Sequence, residues 1–373
     1  MKFICGKEIL TKATQIVQRG TSNVEMPILS GVLIRTEGEQ LILASTDTEE
    51  GVECRIPIQA EEEGGAILDG HYLAEIVKKM PGPSVAVEKN QQDRTVRISS
   101  QDSYFDLVYI DEEEFPQFPQ VDIANTFTIS QPLLKKMITQ VQPALSTSDT
   151  RYLLMGALIE GKGGNLNLVG TDSHRLAISS APASEKLILP EGDFRIVLHG
   201  KMLTEVTRIL GTDENSTLDV ALGSNHVIFQ LPGVKVIARK MEGEYPEYEG
   251  VMPRNFCTDL SLDRTQLKQA VDRLSLLGVG KDSTPLVRFR VEDGLVLTAK
   301  DQTKGQGEER LAMDKEGESL ELTFNGRFLL DGLGAIGGEE VRIRLSGPMS
   351  ASLFTSPEDE TESYRYILMP TFD

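Results

Sequence analysis

Tyr152-Leu-Leu-Met-Gly-Ala-Leu-Ile159, followed after a polar, Gly-bearing turn by Asn165-Leu-Asn-Leu-Val-Gly-Thr-Asp172, reads as a pair of strands. The same pattern occurs twice more. Pro27-Ile-Leu-Ser-Gly-Val-Leu-Ile34 precedes Gln40-Leu-Ile-Leu-Ala-Ser-Thr-Asp47, and Thr284-Pro-Leu-Val-Arg-Phe-Arg-Val291 precedes Gly294-Leu-Val-Leu-Thr-Ala-Lys-Asp301. Ordered self-similarity of this kind marks a repeated architecture. Upstream of each pair lies a short strand and an amphipathic helix. Lys2 to Cys5 leads into Ile9, Leu10, Ala13, Ile16 and Val17, Thr126 to Ser130 into Leu133, Leu134, Met137, Ile138 and Val141, and Asp259 to Leu262 into Leu267, Ala270, Val271 and Leu274. Downstream, a second strand-then-helix follows at Ala66 to Val77, Arg195 to Val206 and Glu321 to Leu330, and alternating strands close each unit.

With Leu73, Leu203 and Phe328 as reference positions, the repeat is about 125 to 130 residues, an ordinary domain length. The expected organisation is therefore three domains, 1–123, 124–255 and 256–373, of class α+β. Each holds two strand-helix-strands half-units of roughly 60 residues, too small to bury a helix alone, so each pair should share one core.

The chain has 373 residues, no apolar run long enough to span a bilayer, and an opening without a basic region and apolar leader, so the expected location is the cytoplasm. Cys5, Cys54 and Cys257 are widely spaced and odd in number, which fits buried apolar residues better than a disulfide framework or a zinc site. No cofactor or metal is expected.

A net charge of -19 opposes nucleic-acid binding at first sight. Its distribution reverses that reading. Predicted helices at 7–19, 71–80, 131–142, 200–210, 264–275 and 326–336 hold thirteen Lys or Arg and five Asp or Glu, so they sum to +8 and the remainder to -27. Solvated helix faces are the plain explanation of such residues. If the helices share one face, however, Lys12, Lys78, Lys79, Lys135, Lys136, Lys201, Arg208, Arg264 and Lys268 give an acidic body a basic side that could attract phosphate, as of a nucleic acid, while the rest repels it. No base-reading motif is present, so such contact would be independent of sequence.

Four signatures, Met26-Pro-Ile-Leu-Ser30, Gly170-Thr-Asp-Ser-His-Arg-Leu-Ala177, Tyr245-Pro-Glu-Tyr248 with Val251-Met-Pro253, and Tyr366-Ile-Leu-Met-Pro370, together with the repeats, resemble the bacterial DNA polymerase III beta subunit, the sliding-clamp family, over essentially the whole chain. The resemblance implies a head-to-tail homodimer closed into a ring, with helices lining the hole and DNA held topologically for processive synthesis. It also implies an apolar cleft that receives a short peptide from the replicative DNA polymerase, the clamp loader, repair polymerases and other partners. The matching positions are Leu154, Thr171, Ser173, His174, Arg175, Leu176, Pro246, Val251, Ile367, Leu368, Met369 and Pro370. By the same resemblance Arg151 and Tyr152 face DNA, while Phe105 and Leu107 meet Leu276 and Leu277 across the subunit interface. Many relatives carry two arginines where this chain has Glu249-Gly250, which implies a more acidic rim and an altered peptide preference.

Two other readings compete. Asp172, Ser173 and His174 could suggest a hydrolase, but neighbours on a strand alternate faces, whereas a triad converges from separate parts of a fold. His71, His199 and His226 show no metalloprotease spacing. A protein-interaction scaffold that does not bind DNA is the second alternative.

Overall fold

The computed structural model describes residues 1–21, 28–277 and 284–371; Met26 and Pro27 of the first signature and first strand pair lie outside the described residues. The six expected helices form: α1 Lys7–Val17, α2 Gly70–Lys79, α3 Gln131–Val141, α4 Gly200–Ile209, α5 Arg264–Leu274 and α6 Gly326–Ala335. Each begins directly after a strand. Three of these abrupt turns are capped by a short polar side chain: Asp69 accepts from Tyr72 N at 2.9 Å, Asp263 from Gln266 N at 2.7 Å and Asn325 from Arg327 N at 2.9 Å. Such caps satisfy main-chain donors that the first helical turn leaves free.

Apolar residues at helical spacing then face inward, including Leu10, Ala13 and Val17 of α1 and Leu267, Ala270, Val271 and Leu274 of α5. One reference position needs correction. Gly70, Gly200 and Gly326 head equivalent helices, and the residues three places on are Leu73, Leu203 and Leu329, all buried; Phe328 is one place out of phase and only half-buried. The cysteines also divide, since Cys5 and Cys54 are buried but Cys257 is intermediate.

The sheets show what joins the half-units. In the first repeat the opening strand Lys2–Gly6 pairs with Ser84–Asn90 of the second half, while Gly64–Asp69, which opens the second half, pairs with Gly31–Glu37 of the first. Both later repeats make the same exchange, at Ile123–Ser130 with Thr217–Gly223 and Phe194–His199 with Gly156–Lys162, then at Thr258–Asp263 with Glu340–Leu345 and Leu320–Asn325 with Leu286–Val291. The sheet of each half thus contains a strand from the other.

Packing divides the chain into two compact units, residues 1–131 with 208–240, and 132–207 with 241–373. In the first unit, Gly51–Pro57 pairs with Val234–Arg239 and fuses four strands of the first repeat with four of the second. A separate five-stranded sheet ends at Ser103–Val108. In the second unit, Arg175–Pro182 pairs with Tyr364–Leu368 to give a nine-stranded sheet, and a separate four-stranded sheet ends at Gly305–Leu311.

Replacing Asp263 by Ala removes a cap without changing the core, so Asp263→Ala should lower stability by about 1 kcal/mol and Asp263→Asn should recover most of it, read as shifts of the urea midpoint.

Candidate functional site

The strand Asn165–Thr171 ends in a tight turn that fixes the position of every residue in the Thr171–Leu176 motif. Thr171 Oγ1 donates to Arg175 O at 2.6 Å and accepts from Ser173 N at 3.1 Å. Asp172 Oδ1 accepts from His174 N at 2.9 Å and Arg175 N at 3.1 Å. The price of this tight geometry is a left-handed Ser173, at φ 80°. Arg151, from the 3-10 segment Asp149–Met155, donates to Ser173 Oγ. The expected DNA-facing arginine is thus tied to the motif, while Tyr152 beside it is exposed.

Arg175 turns inward and is only 8% exposed. Its Nε donates to Asp172 Oδ2 at 2.9 Å, its terminal nitrogen to Asp331 of α6, and its guanidinium lies 4.0 Å from the centre of the Phe328 ring. Burial opposes the charge, but Tyr366, Asp331 and Asp172 outweigh it and hold Arg175 protonated. Its planar fork suits two carboxylates and a ring face at once. Arg175 is therefore a strut beneath the site. His174 stacks on the same Phe328 ring, with centroids 6.5 Å apart, and its carbonyl accepts from Met369 N at 3.0 Å.

The segment Met241–Cys257 forms the second wall. Tyr245 and Tyr248 are buried, the first donating to Val169 O at 3.3 Å and the second to the buried carboxylate of Glu160. Arg195 approaches Glu160 at 3.5 Å and Glu247 at 2.8 Å. These anchors leave Pro246 exposed and Val251 61% exposed. On the rim Glu249 pairs with Lys162 at 2.7 Å, and Gly250 is exposed.

Leu154, Leu176 and Ile367 meet in one apolar cluster with Tyr245 and Tyr248, and Met252 and Phe256 pack against it. Around it stand Thr171, Ser173, His174, Pro246, Val251 and Met369, all at least partly exposed, while Pro370 is buried. Leu368 follows Ile367 on the strand, is fully buried, and by alternation points to the opposite face. Sequence reasoning missed Glu160 and Asp331, and placed Tyr245 and Tyr248 in a signature without giving them a part in the site. A lone Glu in an apolar strand was the available signal for Glu160; Asp331 carried none.

The hydrolase reading is overturned. Asp172 is occupied by main-chain donors and Arg175, Ser173 Oγ accepts from Arg151, and His174 faces a phenyl ring. Burial pushes the Cys54 thiol up to about 11, away from nucleophilic use.

Lys12, Lys78, Lys79, Lys136, Lys201, Arg208 and Lys268 are exposed, and Lys135 is intermediate. Arg264 is different, since it donates to Gly338 O at 2.8 Å and Leu333 O at 3.2 Å and so caps the end of α6. Phe105 is 49% and Leu276 75% exposed, with Leu107 and Leu277 half-buried beside them.

Three repeated two-helix units, fused through their sheets, with an apolar cluster where the second meets the third, define a clamp-type scaffold. Models of the DNA polymerase III beta subunit match all three repeats: its N-terminal domain at residues 1–119, central domain at 128–247 and C-terminal domain at 249–371. The chain is 31% identical over 373 residues to the beta sliding clamp of Bacillus subtilis (strain 168), spanning 97% of each. It is 30% identical over 384 residues to that of Staphylococcus aureus (strain Mu50), spanning 100% of each. Its fold matches the crystal structure of the Bacillus subtilis DNA polymerase sliding clamp with a TM-score of 0.92 at 29% identity, over 100% of this chain and 99% of that one. A Pseudomonas aeruginosa sliding clamp bound to griselimycin matches with a TM-score of 0.93 at 29% identity, over 100% of both. The chain belongs to the DNA polymerase III beta subunit family, and its function is that of a DNA sliding clamp, a non-catalytic processivity factor.

Removing Arg175 strands two carboxylates in partly buried positions, so Arg175→Ala should cost about 3 kcal/mol in thermal denaturation. Arg175→Lys should recover less than half of that, because an ammonium lacks the planar fork.

Proposed function

We propose that the clamp works as a head-to-tail homodimeric ring in the cytoplasm, that its helices face duplex DNA, and that the Leu154, Leu176 and Ile367 cluster takes a peptide from the replicative polymerase, the clamp loader or repair polymerases. We also propose domain boundaries near residues 123 and 255. One observation carries the ring: the two separate sheets end on strands whose equivalents are already paired within the chain.

From Phe3 the cross-strand pairs run through Val87 and Ile98 to Phe105. From Phe127 they run through Val220 and Phe229 to Val236, and from Leu260 through Ile343 and Phe354 to Tyr366. Val236 pairs with Val52, and Tyr366 with Ala177. Val52 and Ala177 stand opposite Ser45 and Gly170, each two residues before the closing Asp; the third such residue, Ala299, stands opposite Gly307. The repeat therefore supports an antiparallel pairing of Ser103–Val108 with Gly305–Leu311 of a second copy, with Phe105 opposite Gly307 of the partner subunit.

Side chains agree with this register. A β-carbon at Gly307 would come within 3.0 Å of Leu274 and 3.2 Å of Leu277, so the glycine keeps the surface beside the half-buried Leu277 clear for an aromatic ring from across the seam. Pairing also covers two strand edges that would otherwise be open to aggregation.

Light scattering should report a dimer for the wild type and a monomer for Leu276→Ala, Leu277→Ala; Gly307→Val should also give a monomer, although it removes no apolar surface. A wild-type monomer throughout the physiological concentration range would overturn the ring. On loaded circular DNA, Arg151→Ala, Tyr152→Ala should shorten retention and make it less dependent on salt than in the wild type, because fewer phosphate contacts remain to be screened; normal loading and retention would remove these two residues from the DNA face.

A further inference from the structure

The two sheet junctions within the chain share one local design. Thr46 Oγ1 donates to Glu50 O at 2.6 Å, as Thr171 Oγ1 donates to Arg175 O at 2.6 Å. Asp47 Oδ1 accepts from Glu49 N and Glu50 N, as Asp172 Oδ1 accepts from His174 N and Arg175 N. Thr48 is left-handed at φ 82°, Ser173 at φ 80°. The next residue then pairs across each junction, Gly51 with Ile237 and Leu176 with Ile367. Gly51 and Ile237 are thus the counterparts of two residues on which the proposed peptide cleft is built.

The first junction is already filled. A β-carbon on Gly51 would overlap the ring of Phe118, so the glycine exists to admit that ring. Phe118 and Val121 pack on Ala221, Ile228 and Ile237, and Phe115 and Phe118 pack on Leu33, Ala44 and Ile67. They belong to Glu114-Phe-Pro-Gln-Phe-Pro-Gln-Val121, whose prolines favour an extended backbone. The corresponding stretch at the second junction behaves differently. Val251 precedes Leu260 by the interval that separates Phe118 from Phe127, yet Val251 is exposed and Glu249 is drawn outward to Lys162.

We infer that the first junction is a second peptide cleft of the same design, occupied by the chain's own Glu114–Val121 segment. The inference rests on reading the second junction as a peptide site. The segment acts as a built-in ligand: extended, flanked by prolines, with one aromatic ring seated against the residue that follows the turn. Each chain consequently offers one vacant cleft instead of two, and a partner peptide of the same class is directed to the second junction.

The test uses the full-length clamp and two probes, a labelled peptide from the clamp-binding segment of a replicative polymerase and a synthetic peptide copying Glu114–Val121. The polymerase peptide should bind the wild type once per chain, and the copied peptide should displace it. The copied peptide with Ala at the Phe118 position should displace it at least tenfold less well. In Phe118→Ala the stoichiometry should rise to two per chain, with the first site unchanged. A folded Phe118→Ala clamp that still binds one peptide per chain overturns the inference. Should that variant not fold, failure of the copied peptide to compete at millimolar concentration on the wild type overturns it instead. A wild type that binds no polymerase peptide overturns the reading of the second junction, a separable result.

Discussion

Strand exchange is the constraint on which the rest depends. Each half-unit gives its opening strand to the sheet of the other half, and the helix that follows starts where that strand ends. The caps at Asp69, Asp263 and Asn325 sit at these transitions, where the chain must stop pairing and start coiling without losing main-chain hydrogen bonds. Both halves contribute to both sheets, and each sheet keeps a third strand whose outer edge no strand of its own repeat covers. Those third strands meet between consecutive repeats and make the two fused sheets.

Fusion creates outer faces that must be covered or made polar. In the first repeat Leu33, Ala44 and Ile67 lie side by side and are covered by Ile110, Phe115 and Phe118. In the second, Leu158, Val169 and Val197 hold the same positions and lie in one cluster with Met241, Tyr245 and Tyr248. The third repeat has Arg288, Thr298 and Thr323 there, lining an open cavity of about 910 Å³. Thr371 N donates to Thr323 O at 2.8 Å as Met241 N donates to Val197 O at 2.9 Å, so the main chain starts along the same path while the face beneath has become hydrophilic. Covered junctions are thus written in apolar residues and the exposed one in polar residues.

The repeats, the six helices and the hairpins were legible because periodicity and turn residues are local properties. The exchange of strands was not, since nothing in a strand's own pattern says which sheet receives it. Phe328 shows a subtler limit: Phe328 and Leu329 both suit an apolar helix face, and only the glycine at the helix start sets the phase. Arg264 looked like a free cation but its partners are carbonyls, which carry no mark in the sequence. The motif residues from Thr171 to Leu176 were found through family likeness, yet their division of labour was not. Arg175 was grouped with the ligand-facing residues, and the structure makes it a buried strut whose partner Asp331 lies in another repeat.

Charge segregation acquires a further meaning on the ring reading. Lys12 pairs with Glu8 at 3.2 Å, and Lys79 with Glu75 at 2.9 Å, each within one helix. Lys79, and after it Lys78, hold the Glu75 carboxyl below its ordinary range. Exposed pairs of this kind contribute little to stability, so giving up a glutamate for a DNA phosphate would cost the fold little. A lysine that moves between its own carboxylate and successive phosphates binds no single one tightly. In the proposed ring, where topology would hold the clamp on DNA, tight binding would be a brake; paired cations would keep the hole attractive to the duplex as a whole while leaving each contact free to break.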